Sequence, residues 1–559
     1  MRIMKMNTTI AKSRLLLVPV LVMLFAATAY ASAPGITGPT FNLTAQDAYI
    51  SQPDGASVYS WGYGCNGAPA GFAPSATFLS GTTAIVGATC PTMQVPGPTL
   101  IVTAPATGTA TVRVSLTNNL PAAAGNTSIL FPGFSVAASG GVDGLLTKEA
   151  APGGTVTYTL TIPSTAAGTH AYYSGTQGDL QVEMGLYGAI VVLPNAANIP
   201  GACTSGVHST NALAQGNWGE SDFRLAAAAY NHPQACYDRE YLFQFSEMDP
   251  NIHAQAEAQV AARAGCTAGA AGCSLNVPTE PYHPAYFMIN GRSMPDDMDP
   301  NYASEYPHQP YNGNPHMHPG ELTLLRIIGQ GRWQHPFHEH GNHVRILGRD
   351  GNLILSQSDP NNSLAGPLLF TTTTTPGLAM DGIFYYTAKG LNWDMYGHNP
   401  ASSDPNAKLP CTPDANGYNT VGTTGMAYTQ INYFEWCQDH NKPVQAAPFG
   451  DVAGGGPTTL PDPNLFTNGP WYGGSPYLGP NATMRATGCS PGSPAGSCGA
   501  TGTTPPSGTI ANSPSGEAGF AFMWHSHNER EITTNNIFPG GMLMMMLVDS
   551  REFVIDESN

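Results

Sequence analysis

Apolar and polar side chains alternate with a period of two in short segments along most of this chain. Residues 109–117 and 154–162 show the pattern most clearly. The pattern predicts half-buried β-strands, because successive side chains of a strand point to opposite faces of its sheet. The 64 glycines and 49 prolines provide turns, and a charged content of 10% is too low to cover long surface helices. The sequence therefore predicts an all-β fold, with residues 252–265 as the best helix candidate.

The length of the chain predicts more than one domain. Roughly 528 residues remain if cleavage follows Ala31, and a single hydrophobic core rarely serves so many. We expect a first β domain at residues 32–195, a linker at 196–235 and a second β domain at 236–558. Residues 399–517 are rich in Gly, Pro, Asn, Ser and Thr and lack sustained alternation, so we interpret them as a long insertion in the second domain.

Residues 1–31 have the pattern of a secretory signal peptide. Four basic residues precede an apolar run from Leu15 to Ala27, and Ala29-Tyr30-Ala31 has the small-x-small form of a cleavage site. The apolar run is short for a membrane span, although a retained anchor is the alternative interpretation. We expect a protein that is secreted, periplasmic or displayed at the cell surface, with no membrane span after cleavage.

The charge of the chain argues against one class of partner. Net charge is −17, and removal of the four basic residues of the leader takes it to −21. Such a chain repels the phosphate backbone, so we expect no binding to nucleic acid.

The ten cysteines fall into local couples along the chain. An even number of cysteines in an oxidising compartment favours disulfide bridges, each stapling one loop or insertion. A thiolate metal site is the alternative, but no Cys-x-x-Cys pair supports it. The neighbouring couples are Cys65 with Cys90, Cys203 with Cys236, Cys266 with Cys273, Cys411 with Cys437, and Cys489 with Cys498.

Two histidine pairs are the strongest candidates for chemistry. His338 and His340 lie two residues apart, as do His525 and His527. On strands, residues two apart share a face, so neighbouring strands could bring four imidazoles within reach of one ion. Imidazole suits copper and zinc. A lone pair of this spacing is more often at a surface or turn, but two pairs in one chain favour a metal site.

The flanking residues make the pattern more specific. His335-Pro-Phe-His338-Glu-His340-Gly and Phe522-Met-Trp-His525-Ser-His527 resemble the histidine motifs of the second half of multicopper oxidases. Further resemblances lie at residues 95–98, 117–120, 185–191 and 289–295. The resemblance covers most of the chain outside the insertion. It implies two cupredoxin-like Greek-key β-sandwich domains, the second carrying the long disulfide-stapled insertion.

Several ligands of that family are missing at their expected places. Residues 130–133 (Leu-Phe-Pro-Gly) replace one first-domain histidine motif, and residues 173–175 (Tyr-Ser-Gly) replace the other. Ser526 stands where the family has the cysteine of its blue copper centre, and Glu531 aligns with a downstream histidine of that centre. A serine hydroxyl cannot replace a thiolate in such a centre. We therefore do not expect four-copper oxidase activity.

The resemblance leaves a smaller metal site possible. His338, His340, His525 and His527 match second-domain cluster ligands and could hold one copper ion, with zinc as the alternative. His335 is the fifth surviving position and matches the blue site. Satisfied structural histidines are the competing interpretation. We expect a degenerate copper centre in an extracellular protein that acts in binding or surface architecture. The alternative is a copper-dependent oxidoreductase with a mononuclear histidine site, and the sequence leaves open whether any catalysis remains.

The resemblance also suggests assembly. Two-domain cupredoxin proteins often form homo-oligomers in which the first domain of one subunit meets the second domain of the next. In such an assembly, Leu130, Phe131, Pro132 and Tyr173 would present apolar surface to the histidine face of a neighbouring subunit. Assembly at the cell surface is a further expectation.

Overall fold

The computed structural model of the protein describes residues 33–74, 87–204, 223–318, 320–386, 474–478 and 518–549. The predicted signal peptide and most of the predicted insertion at 399–517 lie outside these ranges, as do the cysteines of the last two predicted bridges. No helix within the described ranges is long and apolar enough to cross a membrane.

The first domain is a sandwich of two β-sheets. Its strands are β1 (Gly35–Thr37), β2 (Thr40–Ser51), β3 (Ser57–Cys65), β4 (Phe72–Ala73), β5 (Leu100–Thr103), β6 (Thr109–Asn118), β7 (Ser135–Gly140), β8 (Val142–Asp143), β9 (Lys148–Glu149), β10 (Thr155–Pro163), β11 (Gly168–Tyr173) and β12 (Tyr187–Leu193). Among the described residues, one sheet has the order β11-β12-β5-β1-β4 and the other has the order β3-β2-β6-β10-β7. Strands β8 and β9 form a separate hairpin. Strand β2 pairs with β6 in parallel, so the chain crosses between the sheets before it returns.

The second domain repeats this architecture. Its strands are β13 (Arg239–Met248), β14 (Tyr286–Ile289), β15 (His316–Met317), β16 (Leu322–Gly329), β17 (His335–Glu339), β18 (Val344–Arg349), β19 (Asn352–Leu353), β20 (Leu368–Leu369), β21 (Thr371–Thr374), β22 (Ala379–Tyr385), β23 (Gly474–Leu478), β24 (Ala518–Ser526) and β25 (Leu543–Asp549). In the described part of the chain, one sheet has the order β14-β13-β16-β22-β18-β19, with β20 beside β18. The other has the order β15-β25-β24-β17-β21, with β23 beside β24.

Helices are few and short. The α-helices of the described ranges are α1 (Gly178–Gln181), α2 (Gly201–Thr204) and α3 (Pro250–Ala262), and the 3-10 helices are Ala122–Ala124, Ala196–Asn198, Asp296–Met298 and Glu529–Ile532. Helix α3 confirms the helix predicted at residues 252–265, although it begins and ends earlier. Asp249 caps it by accepting a hydrogen bond from the Asn251 N–H, and Pro250 occupies its first turn.

The alternation seen in the sequence sets the faces of these strands. Along β10, Val156, Tyr158, Leu160 and Ile162 are all buried, whereas the residues between them are exposed or partly exposed. Strand β10 pairs with β6 along its whole length, and the alternating residues of β6 face the same core. The predicted all-β fold is therefore confirmed.

Three of the predicted disulfide bridges lie in the described ranges, and all three are formed. They are Cys65–Cys90, Cys203–Cys236 and Cys266–Cys273. Each closes a local loop, and a bridge of this kind stabilises a fold by about 2–4 kcal/mol in loop-closure models.

A buried polar network holds the two domains together. The Asp381 carboxylate in β22 accepts hydrogen bonds from the backbone N–H (3.0 Å) and hydroxyl (2.6 Å) of Thr169 in β11. The Tyr230 hydroxyl donates to the same carboxylate, and Arg326 bridges Thr169 to Glu240. Loss of one partner from a buried ionic network typically costs about 3–5 kcal/mol. The network therefore fixes the orientation of the first domain on the second.

Candidate functional site

The two predicted histidine pairs lie at the ends of adjacent strands, with His340 and His527 one residue beyond them. Strands β17 and β24 are antiparallel neighbours, and their register places His338 opposite His525. Alternate residues of a strand share a face, so the pairs extend from one side of the sheet, while Phe337 and Ser526 extend from the other. We refer to four side chains together as the histidine cluster: His338, His340, His525 and His527.

The imidazole rings of the histidine cluster lie about as far apart as four ligands of one ion would. Ring centroids are 4.9 Å apart for His338–His340 and His338–His527, 5.1 Å for His340–His525, and 5.7 Å for His338–His525 and His525–His527. The Nε2 atoms of His340 and His525 are 3.2 Å apart. Four imidazoles bound tetrahedrally at a metal–nitrogen distance of about 2.0 Å would have centroids about 5 Å apart and nitrogens about 3.3 Å apart.

The four side chains do not form a metal site as they stand. Within the described ranges, no group of three or more His, Cys, Asp or Glu side chains is arranged to hold a metal ion. Strand register fixes the backbone positions of the histidines, whereas rotation of a histidine ring about its terminal torsion angle costs little energy. The side chains of the cluster would therefore have to rearrange before they could hold an ion.

Burial favours the neutral form of two members of the cluster, His338 and His525. The His525 Nδ1 lies 2.7 Å from the Ser526 carbonyl oxygen. A carbonyl only accepts, so Nδ1 carries the hydrogen and Nε2 keeps its lone pair. Burial, followed by the three neighbouring imidazoles, lowers the pKa of His338 to about 4, and burial lowers the pKa of His525 as well. Neutral imidazole is the form that binds metals.

The fifth predicted ligand, His335, lies apart from the cluster. Its Nδ1 is 2.9 Å from a Glu531 carboxylate oxygen, and its Nε2 is 2.9 Å from a Glu247 carboxylate oxygen. All three side chains are buried, and we refer to them as the His335 triad. Burial by itself would lower the pKa of His335, but the bonds and charges of the two carboxylates outweigh it and raise the pKa to about 9.

The His335 triad lies where the resemblance puts the blue copper centre. Ser526, at the position of the family's cysteine, donates its hydroxyl to the Glu531 carboxylate. Glu531, at the position of a ligand histidine, also accepts from the Asn528 side chain. Both ring nitrogens of His335 are thus engaged by carboxylates. A buried, hydrogen-bonded ion network connects the positions that hold copper in the family.

Sequence reasoning missed Glu247, which completes this network. The sequence feature that could have indicated it is a carboxylate within β13, a strand whose other residues are mostly apolar and all buried. Glu247 also accepts from the backbone N–H groups of Arg332 (2.7 Å) and Trp333 (2.9 Å). The Tyr282 hydroxyl lies 3.4 Å away from Glu247 and donates to Glu183 of the first domain at 2.6 Å. The network therefore continues across the domain boundary.

The first-domain positions that match missing histidines carry no imidazole. Leu130 and Tyr173 pair through their backbones, and Tyr173 packs against Gly377 of the second domain in the same chain. Phe131 is buried in the core of the first domain, at 5% exposure, rather than presented at a surface. Leu130 and Pro132 are partly exposed. The apolar surface expected from this segment is therefore smaller than the sequence suggested.

Comparisons with known proteins agree with the sequence resemblance. The multicopper oxidase family model matches residues 82–197, within the first domain. No curated protein sequence matches the chain at a significant level. Among solved structures, a blue copper oxidase from Nitrosomonas europaea is 13% identical, with 91% of this chain and 85% of that chain covered and a TM-score of 0.41. A laccase from Botrytis aclada is 19% identical, with coverage of 64% and 48% and a TM-score of 0.35.

The predicted resemblance is confirmed by the match over the first domain. With its two β-sandwiches, the chain is a multicopper-oxidase-like protein built from cupredoxin-like domains. The resemblance is partial, because the matched segment lacks both histidine motifs and Ser526 stands where the family has the cysteine of the blue centre.

Proposed function

We propose that this chain is an extracellular multicopper-oxidase-like protein with a degenerate copper centre. It binds at most one copper ion, through the histidine cluster, and acts in binding or in surface architecture. The observation that supports this most strongly is the His335 triad. Its three side chains and Ser526 bond to one another at the positions where the family binds blue copper.

The triad disfavours copper at that position for a chemical reason. A blue centre requires a thiolate, and Ser526 offers a hydroxyl that stays protonated near neutral pH. A metal ion would also have to displace two carboxylates from a histidine that they hold in its charged form. Such a buried pair is costly to break, at about 3–5 kcal/mol when one partner is removed.

The histidine cluster is the part of the centre that remains chemically suitable. It offers imidazoles at a spacing close to that of the ligands of a single ion, and imidazole favours copper over the hard cations. A bound copper ion would supply Lewis acidity and one-electron redox capacity. The residues that would hold it are His338, His340, His525 and His527, and Thr371 and Ser526 would orient His338 and His525 through their Nδ1 atoms.

The second candidate function is a copper-dependent oxidoreductase with a mononuclear site. The exposure of His527 favours it, because an exposed ligand gives a small substrate access to the cluster. This candidate requires that copper-loaded protein oxidise a phenol or a metal-ion substrate, and that His525→Ala abolish the turnover. Copper-loaded protein without any such turnover would exclude it and leave the binding function.

Elemental analysis together with electron paramagnetic resonance tests the proposed site. We expect about one copper per chain after loading, without an intense blue band, because four imidazoles and no thiolate are present. His525→Ala should lose the ion. His343→Ala is the matched control, because the His343 ring stacks on Phe370, 3.7 Å between centroids, outside the cluster.

Three outcomes would contradict the proposal. One is copper far below stoichiometry in the loaded parent protein, which would make the cluster a structural remnant. A second is several copper ions with a blue band, which would restore the oxidase assignment. A third is equal copper loss in the two histidine variants, which would move the binding site elsewhere. Zinc retained in place of copper would change the metal but keep the site.

A further inference from the structure

One arm of the first domain concentrates exposed apolar side chains. The arm comprises residues 135–146, which form β7, β8 and the tip of the β8–β9 hairpin. Four of the eight exposed large apolar side chains in the described ranges belong to it, and Leu145 is 93% exposed. The four are Val136, Val142, Leu145 and Leu146. Scattered single residues of this kind are normal at a surface, but a cluster on a single arm indicates a contact surface.

The arm includes an open sheet edge. Strand β7 ends the sheet β3-β2-β6-β10-β7 and pairs with β10 alone among the described strands. No backbone hydrogen bond within the described ranges joins the outer side of β7 to another segment. Five of its six residues are exposed. An edge of this kind presents a row of N–H and C=O groups that can pair with another strand.

The opposite edge of the same sheet, strand β3, is covered by hydrogen bonds from other segments of the chain. Along β3, the carbonyl of Tyr59 accepts from the His253 ring of helix α3, and the N–H of Trp61 donates to the Met184 carbonyl. Further along, the Tyr63 carbonyl accepts from the Gln94 N–H, and the Cys65 N–H donates to the Pro91 carbonyl. Among the described residues, the domain thus covers the β3 edge with its own chain, and no segment covers the β7 edge.

Strand β7 also lacks the features that usually protect an edge. Its sequence, Ser-Val-Ala-Ala-Ser-Gly, contains no charged residue and no proline. The register of β7 against β10 is continuous, without a bulge. On the adjoining hairpin, Asp143 and Lys148 bond to each other at 2.6 Å. Natural edge strands commonly carry lysine, proline or a bulge for this purpose.

We propose that β7 pairs with β7 of a second copy of this chain in an antiparallel, two-fold symmetric dimer. A two-fold axis pairs the strand with itself, so a charge near the middle of the strand would face its own symmetry mate. The uncharged sequence of β7 avoids this repulsion.

The pairing joins the two sheets into one continuous sheet across the dimer. It satisfies the outer backbone groups of β7. The surface differs from the one that the family resemblance suggested, because Tyr173 already packs on the second domain of its own chain. The interface also lies outside the histidine cluster, so it does not depend on metal binding.

Sedimentation velocity of the full processed chain over a series of concentrations tests the dimer. We expect a monomer–dimer equilibrium in the parent protein. Ala137→Lys places a charge in the middle of the exposed strand and should weaken the dimer at least about tenfold, because symmetry doubles the charge at the contact. Thr111→Lys is the matched control, since Thr111 is exposed on β6 of the same sheet but lies inside it, paired with β10.

A second variant distinguishes loss of the dimer from loss of folding. Leu145→Ser with Leu146→Ser leaves the strand intact and should also weaken the dimer, because both side chains are exposed in the monomer. Circular dichroism and thermal melting check that each variant folds. A parent protein that is monomeric at every concentration would refute the proposal. So would a dimer that Ala137→Lys leaves unchanged, or an open polymer instead of a closed dimer.

Discussion

Neutralising one carboxylate of the His335 triad tests whether this network has replaced a metal as the stabilising element of its site. Glu531→Gln keeps the size of the side chain and one acceptor oxygen and removes its charge. The Glu531 side chain is 1% exposed, and its carboxylate accepts hydrogen bonds from His335 at 2.9 Å and from Ser526. We expect the variant to be less stable, with His335 still folded against Glu247.

The magnitude follows from the pKa of His335. Its rise from 6.5 to about 9 corresponds to about 3 kcal/mol in favour of the charged ring, at 1.36 kcal/mol per unit, after the cost of burial. Glu531 provides one of the two carboxylates and also the charge-assisted bond from Ser526. Removing its charge should therefore cost about 2–3 kcal/mol. In a domain of this size, that corresponds to a fall of roughly 5–10 °C in the melting temperature.

Thermal melting of metal-free protein, followed by near-ultraviolet circular dichroism, provides the measurement. Glu529→Gln is the control, because Glu529 is two residues away, in the same 3-10 helix, and exposed. The control should melt with the parent protein. If Glu531→Gln also melts within the error of the parent, the triad contributes no stability, and its interpretation as a replacement for the metal is wrong.

Two further predictions concern a buried acid and the lost thiolate. Burial raises the pKa of Glu183 to about 8 from 4.5, so the folded chain retains a proton that the unfolded chain releases. Stability should then fall by up to about 5 kcal/mol as pH rises from about 4.5 to 8. Glu183→Gln should flatten that slope in denaturant titrations, and an unchanged slope would assign the pH dependence to other groups. For the blue centre, Ser526→Cys should not give an intense blue absorption band after copper loading, because Glu531 still occupies the position of a ligand histidine; a blue band would contradict this reading of the site.

Much of the fold was predictable because strand formation here is governed by local pattern. The alternation at residues 154–162 predicted β10, which has its apolar side chains on one face, in the core. The prediction of helix α3 was right in type and wrong at its ends. The actual start is set by the Asp249 cap and Pro250, which precede the segment that looked helical. Local cysteine couples likewise predicted the three bridges of the described ranges.

The candidate site was predictable only in part. The spacing of His338 and His340, and of His525 and His527, gave their shared faces without knowledge of the tertiary structure. The pairing of β17 with β24 then brought the two pairs together. The spacing could not give the direction of the ring nitrogens, which depends on hydrogen bonds such as that from His525 to the Ser526 carbonyl.

The sequence by itself determined the strands, their buried faces and the ligands that are missing, because these depend on residue type and on a period of two. Only the tertiary structure decided what took the place of the blue copper centre. His335 meets Glu247 from 88 residues before it and Glu531 from 196 residues after it. No local pattern couples residues so far apart. Their contact arises because the packing of two sheets buries three ionisable groups together, and burial makes each charge require its partners.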